Sequence, residues 1–251
     1  MKLSSKIIFF LVLILVCFGF YQVFILMRVD DPSITTNDSK AYKNSLGNDS
    51  SKVQSSESTP EALQSDEEES SDCPLEGSTR MVNLQQLNRL KNRSEIPTDD
   101  KINQNINLAR LIEPGNDQDR WQNNAAALVT GYVADVKIGG IETCNCKARE
   151  ADKRDTHIEL VLNPMNFINN QKVIVEVTPR MRKKMAAMGV DWSTRTIRDK
   201  FLGRWVKVKG WMLFDFEHAR QAENTNAGNP KNWRATSWEI HPITSIEVTQ
   251  R

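Results

Sequence analysis

No glycine-rich phosphate loop, His-Glu-x-x-His helix or nucleophile-elbow motif occurs in the 251 residues. The usual sequence marks of phosphoryl transfer, zinc proteolysis and ester hydrolysis are therefore missing. Histidine is scarce, with three residues, and cysteine nearly so, with four. Apolar residues make up only 39% of the chain and the mean hydropathy is -0.50, so much of the chain buries nothing and one core is expected rather than two. A net charge of +1 hides a segregation of sign. Residues 28–124 carry 11 Lys and Arg against 18 Asp and Glu, whereas residues 125–251 carry 20 against 14. The basic surplus of the second half favours contact with phosphate or sulfate polymers, as it does in many domains that bind neither.

Charge is missing altogether from Ile7 to Met27, a run of 21 residues. A helix needs roughly 20 apolar residues to cross the hydrocarbon core, so 7–27 is expected to be a transmembrane helix. Lys2 and Lys6 precede it and Asp30 and Asp31 follow Arg28, which leaves residues 1–6 cytoplasmic and the rest outside, in the periplasm if the cell is Gram-negative. A cleaved signal peptide competes with this signal-anchor reading, but the run is long for an h-region and no small-x-small site ends it. Cys17 likewise lacks the small residues of a lipoprotein box. Residues 30–79 show no apolar periodicity, are rich in Ser, Asn, Asp and Glu, and contain the acidic run Asp66 to Glu69. They read as a disordered, solvated tether, and such a coil of about fifty residues reaches roughly 40 Å. The Asn37, Asn48 and Asn92 sequons bear on structure only in a eukaryotic secretory pathway.

Weak helical spacing at Met81, Leu84, Leu87 and Leu90 predicts a short helix within the tether, whose whole extent is taken as 28–97. A second helix, with Ile102, Ile106, Leu108, Leu111 and Ile112, stops at Pro114-Gly115 and opens a folded domain over 98–251, expected to fold by itself. Strands are predicted at Leu128 to Ile138, with Gly131 as a bend, at Asp155 to Leu162 and at Lys172 to Thr178. Helices follow at Arg180 to Met188 and from Ser193 to before Gly203, then strands at Arg204 to Phe216 and Thr236 to Val248. Five strands with a helix between the third and fourth match the OB-fold, a mostly β Greek-key barrel.

The chain resembles uncharacterised bacterial exported or membrane-anchored proteins with an OB-like domain. The resemblance is carried by Thr130 to Val133, Glu142 to Cys146, Asp155 to Leu160, Val206 to Met212 and Trp233 to Ile243, and covers about residues 115–251. It implies the fold class and an extracytoplasmic place. OB-like domains of this sort look like nucleic-acid-binding modules, some attached to secreted nucleases, although no nuclease domain accompanies this one.

Each histidine stands near a carboxylate: His157 near Asp155, His218 near Asp215 and Glu217, His241 near Glu239. On a strand, i and i+2 share a face, so Asp155 with His157 and Glu239 with His241 would form polar pairs outside the barrel. His157, His218, His241, Asp155, Asp215 and Glu239 thus form a candidate set for zinc or another divalent metal, or for a hydrolytic site, set against carboxylates that merely orient each imidazole. Cys144 and Cys146 are candidates for a disulfide with one another, for pairing of one with Cys73, or for thiol ligands to a metal.

If Val206 and Val208 point inward, Trp205, Lys207, Lys209 and Trp211 line the outer face of the fourth strand, with rings for stacking beside cations for phosphates. The alternative is that the tryptophans pack beneath neighbouring segments. Arg180, Arg182, Lys183 and Lys184 add positive charge or form a solvated helix face. The leading expectation is an anchored binding module for single-stranded nucleic acid or another anionic or sugar polymer. The rivals are the metal or hydrolytic site and a structural role in the cell envelope with a protein partner.

Overall fold

Alternation writes the barrel. Val206 and Val208 of one strand, Val173, Val175 and Val177 of another, and Ile158 and Leu160 of a third all point into a single buried cluster. The computed structural model describes residues 73–165 and 171–250. The expected membrane helix at 7–27 and the tether up to residue 72 lie outside the described residues, among which no helix is long and apolar enough to cross a membrane.

Five strands form a closed barrel in the order β1-β2-β3-β5-β4, consistent with an OB-like fold. They are β1 (Ala126–Ile138), β2 (Thr156–Val161), β3 (Val173–Val177), β4 (Trp205–Phe214) and β5 (Trp238–Val248). The long β1 closes the barrel by pairing twice: Ala126 to Tyr132 lie along β4, and Tyr132 to Ile138 lie along β2. A register shift between Val133 and Asp135 marks the change of partner. All pairings are antiparallel except that of β3 with β5.

Among the described residues, four α-helices pack around the barrel: α1 (Val82–Lys91), α2 (Leu108–Ile112), α3 (Pro179–Ala187) and α4 (Thr194–Phe201). Their starts follow local chemistry. The Asn107, Thr178 and Ser193 side chains each accept a first-turn N–H, and Pro179 occupies the first turn of α3, where its missing N–H costs nothing. Helix α4 sends Ile197 and Phe201 into the core, and α2 sends in Leu108 and Leu111. Gly131, expected to bend β1, serves this packing instead: a Cβ there would stand 2.7 Å from Leu108 Cδ2.

The segment assigned to the tether needs correction, because residues 73–97 belong to the packed structure. Only Leu87 of the α1 apolar residues is buried, and Met81 is 54% exposed. Helix α1 is held by polar side chains. Asn88 donates to Glu76 O and Thr143 Oγ1, Asn92 donates to Leu75 O and Cys144 O, and Lys91 is buried between two carboxylates. Gly77, at φ +65, passes so close to Thr143 O that a side chain there would collide with it. Apolar periodicity is a poor sign of a helix buried through its amides and an ammonium.

The boundary can be checked by truncation. The chain lacking residues 1–72 should melt cooperatively. The chain lacking 1–97 should not, because it strips the ammonium from the buried Asp215 and the half-buried Glu142, at roughly 3 to 5 kcal/mol for a buried pair. It also removes a disulfide spanning 73 residues, worth about 4 kcal/mol. Circular dichroism melts decide, and a sharp transition for the 98–251 chain would return residues 73–97 to the tether.

Candidate functional site

The outer face of β2, β3 and β5 carries most of the candidate chemistry. Register sets His157 beside Glu176, and it sets Glu159 and Glu239 on either side of Ile174. These side chains point away from the core, yet His157, Glu159, Glu176, Glu239 and His241 are each 8% exposed or less. Two connections and α1 provide the cover. From the β4–β5 connection, Trp233 lies against the His157 ring at 5.6 Å, and the fully buried Arg234 donates to Glu239 Oε1 at 2.7 Å. From the β1–β2 connection, Asn145 Nδ2 donates to Asp155 Oδ2 at 2.8 Å. Lys91 of α1 ties both connections together, with Nζ 2.6 Å from Glu142 Oε2 and 2.8 Å from Asp215 Oδ2.

The histidines do not share one ligand set. His157 pairs with Glu176, Nδ1 to Oε1 at 3.1 Å, rather than with Asp155. Directly opposed residues on paired strands lie closer than i and i+2 on one strand, and Asp155 is turned to Asn145 before β2 begins. His241 Nδ1 lies 3.1 Å from Glu239 Oε2 and 3.5 Å from Glu176 Oε2, so Glu176 stands between two imidazoles. His218 keeps the neighbour expected from the sequence, with Nε2 3.8 Å from Asp215 Oδ2, while Nδ1 lies 3.1 Å from Gln221 Oε1 and the ring is edge-on to Trp233.

Among the described residues, donor atoms within 4.8 Å of one another occur in three groups: Glu142, Cys144 and Asp155; Asp155, Glu176 and His241; Asp215, His218 and Glu239. His157 belongs to none of them. Lys91, Glu142, Glu176 and Arg234 escaped the sequence reading. The one available sign was Glu176, a carboxylate alone in the apolar run Val173 to Val177.

Burial and charge oppose one another throughout this wall. Burial lowers the proton affinity of His241, but the Glu239 hydrogen bond and the charges of Glu176 and Asp155 prevail and raise its pKa to about 9. Burial, with the Glu176 and Glu142 charges, lifts Asp155 to about 7 against the pull of His241 and Lys91. Burial opposes ionisation of Glu142 too, yet Lys91 wins and draws it down to about 2. Burial, then Asp155, pushes the Cys144 thiol well above its usual range, so it is no thiolate nucleophile.

Of the cysteine pairings that the sequence left open, the structure has the one with Cys73 and not the bond between Cys144 and Cys146. The disulfide joins Cys73 to Cys146, with Cα atoms 5.6 Å apart, and Cys144 is a buried thiol. Cys146 adopts φ 52 in the turn of the β1–β2 connection, while Cys144 Sγ lies 3.4 Å from Glu142 Oε2 and 3.9 Å from Asp155 Oδ2. The two side chains thus serve different neighbours. A cleft of about 300 Å³ opens here, lined by Cys73, Cys144, Asn145, Cys146, Lys153 and Arg180 among others.

On β4, Val206 and Val208 are buried while Trp205, Lys207, Lys209 and Trp211 share the outer face, all half-buried. Trp211 is capped: Arg93 lies 4.9 Å over its ring and its Nε1 donates to Glu95 O. Trp205 meets Tyr132 edge-on at 5.9 Å. Much of the α3 basic cluster is engaged with backbone, since Arg180 donates to Cys73 O, Arg182 to Asp152 O and Arg154 O, and Lys184 to Ser94 O.

No protein-family model, curated protein or solved structure matches the chain.

Glu142 supplies a pH test with a defined sign. Its pKa falls from 4.5 to about 2 on folding, so its pairing contributes stability that is present above pH 4.5 and lost as the pH falls towards 2. Glu142→Gln should lower stability by on the order of 3 kcal/mol at pH 7. It should cost almost nothing near pH 2. Denaturant unfolding of both proteins across that range measures the difference, and a pH-independent gap would remove the assigned role of Glu142.

Proposed function

We propose that the chain is a membrane-anchored, extracytoplasmic binding module of OB-like fold that holds single-stranded nucleic acid on the outer face of β1 and β4. The observation that carries this reading is the strip formed by Trp205, Lys207 and Lys209. Both lysines project outward between inward valines, and neither has an ion-pair partner within 4 Å among the described residues. Beside them on β1 stand Leu128 and Thr130, opposite Lys209 and Lys207, and Tyr132, opposite Trp205. Aromatic faces with neighbouring cations suit bases and phosphates in succession. Trp211 is outside this strip in function, because Arg93 already occupies its ring. The apolar run at 7–27 supports the anchor, and the Cys73–Cys146 disulfide supports an oxidising compartment.

Titration of a labelled single-stranded oligonucleotide tests the strip. Trp205→Ala should weaken binding by roughly 1 to 3 kcal/mol with little loss of stability. Replacing Lys207 and Lys209 by Gln should flatten the slope of log affinity against log salt by about 1.4 units, for two phosphate contacts on a single strand. Trp211→Ala should act mainly on the melting temperature, since it undoes packing. Direct binding of labelled heparin, with no oligonucleotide bound at low salt, would replace nucleic acid by an acidic polysaccharide. Failure to bind either would leave the envelope-protein role.

Topology has its own check. Protease added outside intact cells or spheroplasts should cut between residues 30 and 72 and release the folded part, whereas protection until lysis would reverse the orientation.

A further inference from the structure

On a different part of the barrel wall from the β4 strip, several buried side chains have one polar atom held and another without a hydrogen-bond partner, and three of them lie together. Asp155 Oδ2 accepts from Asn145, leaving Oδ1 unpartnered. Glu176 Oε1 is paired to His157 Nδ1, leaving Oε2 without a hydrogen bond, although it lies 3.5 Å from His241 Nδ1. His241 Nδ1 is engaged by Glu239, leaving Nε2 unpartnered. One donor atom from each of the three lies within 4.8 Å of the others. A buried polar atom left unsatisfied costs roughly 1 to 3 kcal/mol, so three on one cluster call for a ligand.

We propose that Asp155, Glu176 and His241 bind a divalent first-row transition-metal ion, of the zinc, cobalt or manganese class. The donor set, one imidazole and two carboxylates, suits that class. The surroundings have the form expected of a second layer around such an ion. Glu239, itself held by Arg234, fixes the His241 ring and sets Nδ1 as the donor, which leaves the Nε2 lone pair for the metal. Asn145 and His157 fix the two carboxylates in the same way.

Charge points in the same direction. Glu142, Asp155, Glu176, Asp215 and Glu239 crowd this wall, where Lys91 pairs with Glu142 and Asp215 and Arg234 pairs with Glu239, so carboxylates outnumber the basic side chains that meet them. Access exists as well, since Asn145 and Cys144 line the 300 Å³ cleft and also lie against Asp155.

The test uses the full chain, untagged, in detergent, stripped with chelator and titrated with Co2+ and Zn2+. One ion per chain should bind, with visible Co2+ absorption of a nitrogen–oxygen ligand field and no strong thiolate charge-transfer band. The melting temperature should rise with free Zn2+. Asp155→Asn, Glu176→Gln and His241→Gln should each weaken binding at least tenfold, while Cys144→Ser should retain it. Should a variant fail to fold, the wild-type Co2+ spectrum and the shift of the His241 ring proton resonances on Zn2+ addition decide by themselves. No stoichiometric uptake at 1 mM ion, in order-of-magnitude terms far above any structural-site dissociation constant, would overturn the proposal. Loss of binding in Cys144→Ser with a thiolate band would overturn it too, by moving the ion to Glu142, Cys144 and Asp155.

Discussion

The ammonium of Lys91 is buried between Glu142 and Asp215, and three separate parts of the chain meet at that point. Helix α1 brings the lysine, the β1–β2 connection brings one acid, and the β4–β5 connection brings the other. Burial alone would drive the lysine to lose its proton, yet its two carboxylates hold its pKa well above the usual value. Each acid has a further neutral donor, Glu217 N on Asp215 and the Cys144 thiol on Glu142, but they share this one ammonium. Such a bridge adds little net stability over an apolar substitute, but removing one partner is expensive, which makes it a device of register more than of strength.

That bridge determines what the barrel can present. With both connections and α1 drawn over β2, β3 and β5, the face on which OB-like barrels offer a strand surface is closed, and its polar side chains become an interior. The strands whose outer face stays open are therefore β1 and β4. The covered wall instead acquires the properties of a buried site: fixed donors, low dielectric and a local excess of negative charge. The disulfide and the basic side chains of α3 work to the same end, since Cys73 is tied to Cys146 and Arg180 and Lys184 grip the backbone of residues 73–94.

Aromatic side chains show how one residue type takes opposite roles. Trp211 and Trp205 stand on the same face of one strand, but Arg93 covers the first, whereas the second meets Tyr132 edge-on. Trp233, on a connection, is packed between His157 and His218 and closes the polar wall.

The strands were legible along the chain, because a period of two in valine and isoleucine reports burial on one face wherever a strand lies on a core, and the cap at Ser193 is local chemistry. The sequence by itself also determined the outward set Trp205, Lys207, Lys209 and Trp211, and the i, i+2 spacing of Glu239 and His241. Tertiary structure alone decided the rest. Glu176 joined His157 through a register that no local pattern records, and Cys146 chose a partner 73 residues away while Cys144 turned inward. Helix α1 left the tether for the fold because an ammonium and two amides, not a hydrophobic stripe, bury it. Polar partners are specified by three-dimensional proximity, and only the hydrophobic face has a period that can be read along the chain.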